Sequence, residues 1–340
     1  MDILLLERLA PEAQAWLEAR HRVACRPDLA AEPGTLRKAV SKARAVVLPR
    51  KVVVTQQFLD AAPLLQAVGR MHGGTDNTDL EACRERNVRV IQASNANVRS
   101  NAEYLLASLL LLCRPGIGSA LGGDRHAEVR LGRELNGSVV GLLGLAPAAH
   151  ALALMLHTLG AKVLAYDPAV HHTAPLWSRL PAKPVSLQDL MAQSDAISVQ
   201  VIYGSRYQGF INDKLLANCR QGQLWVGVSR SQLFDGDALA RALADGRIAA
   251  CMLDGAETGF ASRGTLLHEA SNLFLTPRLG SQTREARLRG SWYLAHRLHE
   301  TLASPSANPT EQFASGAMAL EQNLSEQVMA PPGASDHFNR

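Results

Sequence analysis

At 340 residues, with 47% hydrophobic and 19% charged residues, the chain is too long for one typical domain and fits two of moderate size, each able to bury its own core. The formal charge of +4 is spread along the chain, and REARLRG at 284–290 reads as one face of a helix, which disfavours a nucleic-acid partner. The longest apolar run, 105–113, is about half of a bilayer span, and MDILLLERLAPE carries acids where a signal peptide has lysines, so a soluble, cytoplasmic protein with no membrane partner is expected.

In chain order, DILLLE predicts a strand, PEAQAWLEA a helix, HRVAC a strand, residues 36–43 a helix, and AVVLP, LQAVGRM and VRVIQA further strands. Strands alternating with helices argue a parallel sheet covered on both faces. NAEYLLASLLLLCR, at 101–114, is a strongly apolar helix that suits a position buried between domains. The alternation restarts at Val139 with SVVGLL, then KVLAY, LQDLMAQ, AISVQVI, DKLLANC, QLWVGV, GDALARALADG, IAACMLD and NLFLTP. Two α/β units follow, and a long helical pattern at 283–302 comes after the last strand. Past Ser304 the chain turns to Ser, Ala, Pro, Asn and Gln, which predicts a mobile tail with a short helix near 318–328, open to a protein partner. Cys25, Cys83, Cys113, Cys219 and Cys251 lack CxxC or paired spacing and read as reduced and structural. HAEVR and the His171–His172 pair offer no metal-ligand spacing.

The stretch GLLGLAPAAHALALMLHTLGAKVLAYDP, 141–168, has the order of a dinucleotide site: strand, small-residue turn, helix, strand, acid. Such a turn uses one glycine to bend, a second to admit the pyrophosphate and a third to pack helix on strand. Those positions are Gly144, Ala146 and Ala149, and Pro147 opens the helix without an N–H for an anion. Asp167, 23 residues beyond Gly144, stands where a carboxylate accepts ribose hydroxyls and repels a 2′-phosphate, which favours NAD over NADP. The plain alternative is a βαβ crossover ending in an Asp-Pro turn.

These segments, with GRMHGGTDNTDLEACRERNVRVIQ, NANVRSNAEYLLASLLLLCR, the run GFINDKLLANCRQGQLWVGVSRSQLFDGDALARALADGRIAACMLDGAE and NLFLTPRLGSQTREA, resemble the D-isomer-specific 2-hydroxyacid dehydrogenases from about Val46 to Leu302. The family also includes formate and phosphoglycerate dehydrogenases and the corepressors called C-terminal-binding proteins. The resemblance implies two doubly wound parallel-sheet domains: a flavodoxin-like substrate domain split between 1–98 and 283–302, and a Rossmann NAD-binding domain at 99–282. It further implies a homodimer through the NAD domain and a small 2-oxo or 2-hydroxy acid as substrate.

In that family an arginine holds the substrate carboxylate, a histidine exchanges the hydroxyl proton and a glutamate supports the histidine. The resemblance places the arginine on Arg230, with Ser231 in place of the usual glycine, and the glutamate on Glu257. It sets Asp254 and Val228 against the cofactor, and Gly73, Gly74 and Asn97 on the substrate. The histidine position, after Thr-Pro in LTPRLGS, is Arg278. An arginine stays protonated at any working pH and exchanges no proton in turnover, so a fixed ion pair with Glu257 is expected. His-x-Pro of the family is Gln200-Val201-Ile202 here, and Met71 and His72 precede the loop glycines. His72 or Tyr104 could stand in for the acid, but a loop histidine and a half-buried core tyrosine are the readings preferred. Arg70 and Arg99 read as solvated. Two functions stay open: an altered NAD-dependent oxidoreductase resting on Arg230, Asp254, Glu257 and Asp167, and a non-catalytic nucleotide or partner binder resting on Ala146, Pro147, Gln200 and Arg278.

Overall fold

The computed structural model describes residues 1–72, 77–117 and 131–303; Gly73, Gly74, the HAEVR stretch and the tail with its expected helix lie outside them. The chain divides into Met1–Asn97 with Arg284–Arg340, and Val98–Thr283.

The first unit is built on β1 (Ile3–Leu5), β2 (Val23–Cys25), β3 (Ala45–Val47), β4 (Ala67–Arg70) and β5 (Arg89–Gln92), all parallel, in the order β2-β1-β3-β4-β5. This is the flavodoxin-like order. Its central strands are unbroken apolar runs because both faces are covered. Leu4, Val46 and Val68 point to one core with Leu36 and Val40 of helix Pro33–Val40. Their neighbours Ile3, Leu5, Val47 and Ala67 point to the other, with Leu17 of helix Pro11–Glu18 and Leu294 and Leu298 of helix Arg284–Ala303. That last helix is also tied down by its Ser291 hydroxyl, which accepts the Ala10 N–H at 2.8 Å.

Arg70 is not solvated: it is fully buried at the carboxyl end of β4. Its guanidinium donates to the carbonyls of Pro49 (2.9 Å) and Asn77 (3.0 Å) and to Thr78 Oγ1 (3.0 Å). Turn carbonyls brought together at the strand end need donors, and charge-assisted hydrogen bonds offset the cost of burying the cation.

His21 Nε2 and His299 Nδ1 lie 2.9 Å apart beside Trp16. Burial, with His299 next, holds the His21 pKa below its ordinary value. The unfolded imidazole, near pKa ~6.5, therefore binds protons that the folded one refuses, and stability falls as pH drops below about 6.5. His21→Gln is expected to flatten the decline in melting temperature between about pH 7 and 5, read by thermal unfolding at several pH values; an unchanged acid slope would rule this out.

The second unit holds β6 (Val139–Leu143), β7 (Lys162–Tyr166), β8 (Lys183–Pro184), β9 (Ala196–Val199), β10 (Gln223–Gly227), β11 (Ile248–Asp254) and β12 (Leu273–Thr276). They are parallel, in the order β12-β11-β10-β9-β6-β7-β8, a Rossmann sheet with one added edge strand. The order reverses between β6 and β9, and a dinucleotide crosses such a sheet outside the strands' carboxyl ends there. Helix Val98–Leu112 is apolar for a reason internal to this unit. Its Ala102, Leu105, Leu109 and Leu112 enter one core with Val140, Leu142, Leu152 and Leu156. Among the described residues no helix is long and apolar enough to cross a membrane.

Candidate nucleotide and substrate site

At the end of β6 the chain bends at Gly144, whose φ is +95°. A Cβ there would run into the backbone of Gln200 and Val201 beyond β9, so only glycine lets the turn lie at the switch point. Ala146 then caps helix Pro147–Thr158 from an extended conformation, without a side-chain bond, and Pro147 takes the first helical position. The Ala149 N–H is used internally, donating to the Ala146 carbonyl at 2.7 Å. From the end of β7 the Asp167 carboxylate reaches back: Oδ2 accepts the Leu145 N–H at 2.6 Å and Oδ1 the Ala169 N–H at 2.7 Å.

The residues fit a dinucleotide. Gly144 gives close backbone approach at the switch point, and an ionised carboxylate has about four acceptor sites, so Asp167 keeps capacity for ribose hydroxyls. The fit is tighter than in a glycine turn, because Ala146 brings a methyl group and Pro147 removes an amide. Beside them His150 is half-buried and its pKa is lowered by burial, so the imidazole is kept neutral near the turn. Nothing in the sequence sets this histidine apart from a helix-surface one. Ala146→Gly is expected to tighten NADH binding about tenfold in a fluorescence titration, since glycine is also a good cap. Unchanged affinity would show that the methyl group does not obstruct.

Neighbouring strands β10, β11 and β12 deliver the charged residues from their carboxyl ends. Arg230 follows β10, Glu257 follows β11 and Arg278 follows β12. Glu257 Oε2 accepts the Ser231 N–H at 2.9 Å and the Ser231 hydroxyl, while the Glu257 N–H donates to Ser231 Oγ at 3.0 Å. Oε1 lies 3.6 Å from Arg230 Nη1 and 3.7 Å from Arg278 Nη2. Ser231, which sequence reasoning noted only as a lost glycine, is what fixes the carboxylate; a hydroxyl and an amide on one residue were the available signal.

Asp254 is buried at the end of β11. It accepts from Thr276 Oγ1 (2.6 Å) and from the Leu279 (2.6 Å) and Gly280 (2.8 Å) amides. Tyr104 Oη is 2.6 Å from Thr276 Oγ1, and since the threonine proton goes to Asp254, the tyrosine donates. Burial raises the Tyr104 pKa, which suits a fixed donor. The relay therefore shapes the loop that carries Arg278. Val228 is half-buried against the core that holds β6, and Gln200 is buried, its Nε2 donating to Ser198 Oγ at 3.2 Å. Asn97 ends the 3₁₀ turn Ser94–Asn97 in the first unit. A cavity of about 580 Å³ in the second unit is lined by Glu257, Ser262, Thr276 and Arg278 among others.

Residues 119–280 match the NAD binding domain of the D-isomer specific 2-hydroxyacid dehydrogenases. The chain is 30% identical to (S)-sulfolactate dehydrogenase of Chromohalobacter salexigens over 304 residues, 88% of this chain and 98% of that protein. It is 32% identical to D-3-phosphoglycerate dehydrogenase of Mycobacterium tuberculosis over 88% of this chain, but spans only 57% of that longer protein. The TT0316 protein of Thermus thermophilus superposes with a TM-score of 0.78 at 25% identity, over 91% of this chain and 99% of that one. A relative matched over nearly its whole length, on a Rossmann sheet with Gly144 and Asp167 at the switch point, shows that the chain belongs to the D-isomer-specific 2-hydroxyacid dehydrogenase family, with NAD as its cofactor.

Proposed function

We propose that the protein is an NAD-dependent oxidoreductase of a small 2-hydroxy or 2-oxo acid, with proton transfer impaired because Arg278 stands where the family pattern has histidine. The observation that carries this reading is the single Glu257 carboxylate facing two guanidiniums, with Arg278 in the proton-exchanging position. Bound NAD supplies or takes up the hydride. The turn at Gly144, Ala146 and Pro147, with Asp167, holds its adenosine and pyrophosphate half, and Val228 and Asp254 border the nicotinamide half. Arg230 binds the substrate carboxylate, and the family resemblance assigns further substrate contacts to Gly73, Gly74 and Asn97. Arg278 stabilises negative charge but delivers no proton. A homodimer through the second unit, in the cytoplasm, completes the proposal.

Steady-state reduction of a panel of 2-oxo acids, run beside an NADH titration, tests it. Binding of NADH with turnover well below ~1 s⁻¹ is the expected result. Ordinary turnover of ~1 to 10³ s⁻¹ would remove the impairment, and absence of NADH binding would remove the reading altogether. Ala146, Pro147 and Arg278 together also support a non-catalytic binder of NAD or a protein partner, and NADH binding with no turnover on any acid would favour it.

A further inference from the structure

We infer that Arg278, with Arg230, forms a two-cation subsite on the second unit that selects a small acid carrying a second anionic group beside its carboxylate. The inference rests on the proposed placement of the substrate carboxylate on Arg230. Both guanidiniums face the Glu257 carboxylate, which gathers two cations at one place. Glu257 does not saturate Arg278. Its Oε2 is taken by Ser231, and its Oε1 lies at 3.6 and 3.7 Å, ion-pair but not hydrogen-bond distance. Among the described residues the Arg278 guanidinium makes that ion pair and no hydrogen bond, although it has five N–H donors in a planar fork. The Arg278 side chain is 44% exposed and borders the 580 Å³ cavity, so an anion can reach it.

Its position is built. Arg278 holds a left-handed backbone, φ +57°, a strained conformation for a residue with a side chain. The Thr276 carbonyl accepts the Arg278 N–H at 2.9 Å, and Asp254 grips the next two amides. On the other side Gly255, at φ +77°, has no Cβ, and one there would strike Arg278 Cγ. Strain maintained by surrounding bonds around an arginine with unspent donors fits a ligand contact better than a scaffold one. A carboxylate on Arg230 leaves Arg278 for a sulfonate, a phosphate or a second carboxylate.

The test compares sulfoacetate, which pairs a carboxylate with a sulfonate, with methylsulfonylacetate, which has the same shape but a neutral sulfone. Isothermal titration of the full-length protein, with and without NADH, should give sulfoacetate about tenfold tighter binding, with the preference shrinking as salt is raised. Arg278→Met should bring the two probes within about twofold, and Arg278→Lys, which keeps a point charge without the fork, should retain part of the preference. Melting curves confirm that both variants are folded, and the salt dependence of the native protein gives an independent readout. Equal affinities for the native protein, no measurable sulfoacetate binding, or a preference that survives Arg278→Met would each overturn the subsite. A sulfoacetate preference without NADH binding would leave the subsite standing and reject the dehydrogenase reading instead.

Discussion

Arg278→His is expected to raise NADH-linked reduction of a 2-oxo acid by about 10²- to 10⁴-fold, the range that a positioned general acid contributes. The surroundings are ready for an imidazole. Ser231 already fixes Glu257 through Oε2, so Oε1 is directed toward residue 278 to accept an imidazole N–H. Histidine is also among the residues enriched at positive φ, so the left-handed backbone at 278 suits it. The gain should carry a pH signature: reduction needs the protonated ring, so the rate should fall as pH rises through the histidine pKa. The same variant should lose the sulfoacetate preference at high pH, where the ring is neutral. Stopped-flow and steady-state assays of both proteins over pH decide the matter. A variant that binds NADH yet turns over no faster than the native protein would mean that the missing acid is not what limits it.

Gly144→Ala is the second large effect. The new methyl would be driven into the Gln200 and Val201 backbone, and the residue would also have to hold φ +95°. Overpacking against backbone and positive-φ strain each cost about 1–3 kcal/mol, so a loss of about 3 kcal/mol or more is expected for the second unit. Denaturant titration followed by Trp225 fluorescence would read it. Gly137→Ala is the control, because Gly137 has φ +74° but open space around it, so only the strain of about 1–2 kcal/mol applies. Similar losses for both variants would mean that Gln200 and Val201 yield, and that the turn is not confined by β9.

Both sheets were legible because a parallel strand covered on two faces must be an apolar run, as ILL, AVV and VVGLL are. That Arg230 and Glu257 stand past the ends of β10 and β11 was legible because each follows an apolar run in a segment that resembles the family. What escaped had a physical reason in each case. Arg70 carries a charge, and burial of a charge depends on turn carbonyls that come together only in the fold. The apolarity of helix Val98–Leu112 says that it is buried but not in which core. Ser231, Thr276 and Tyr104 are small or half-buried polar residues whose roles lie entirely in whom they meet.

Among the described residues the core of the first unit is completed by helix Arg284–Ala303, and the Ala10 amide finds its Ser291 partner 281 residues away. During synthesis the face of the sheet that carries Ile3, Leu5, Val47 and Ala67 therefore emerges covered by helix Pro11–Glu18 but without Leu294 and Leu298 until the whole second unit has been made. At about 5–20 residues per second that wait is roughly 10–40 s, long enough for the second unit to be folded before the first is finished. The order of completion on the ribosome is the reverse of the order of the genetic message, and the half-covered sheet is the stage at which a chaperone has most to protect.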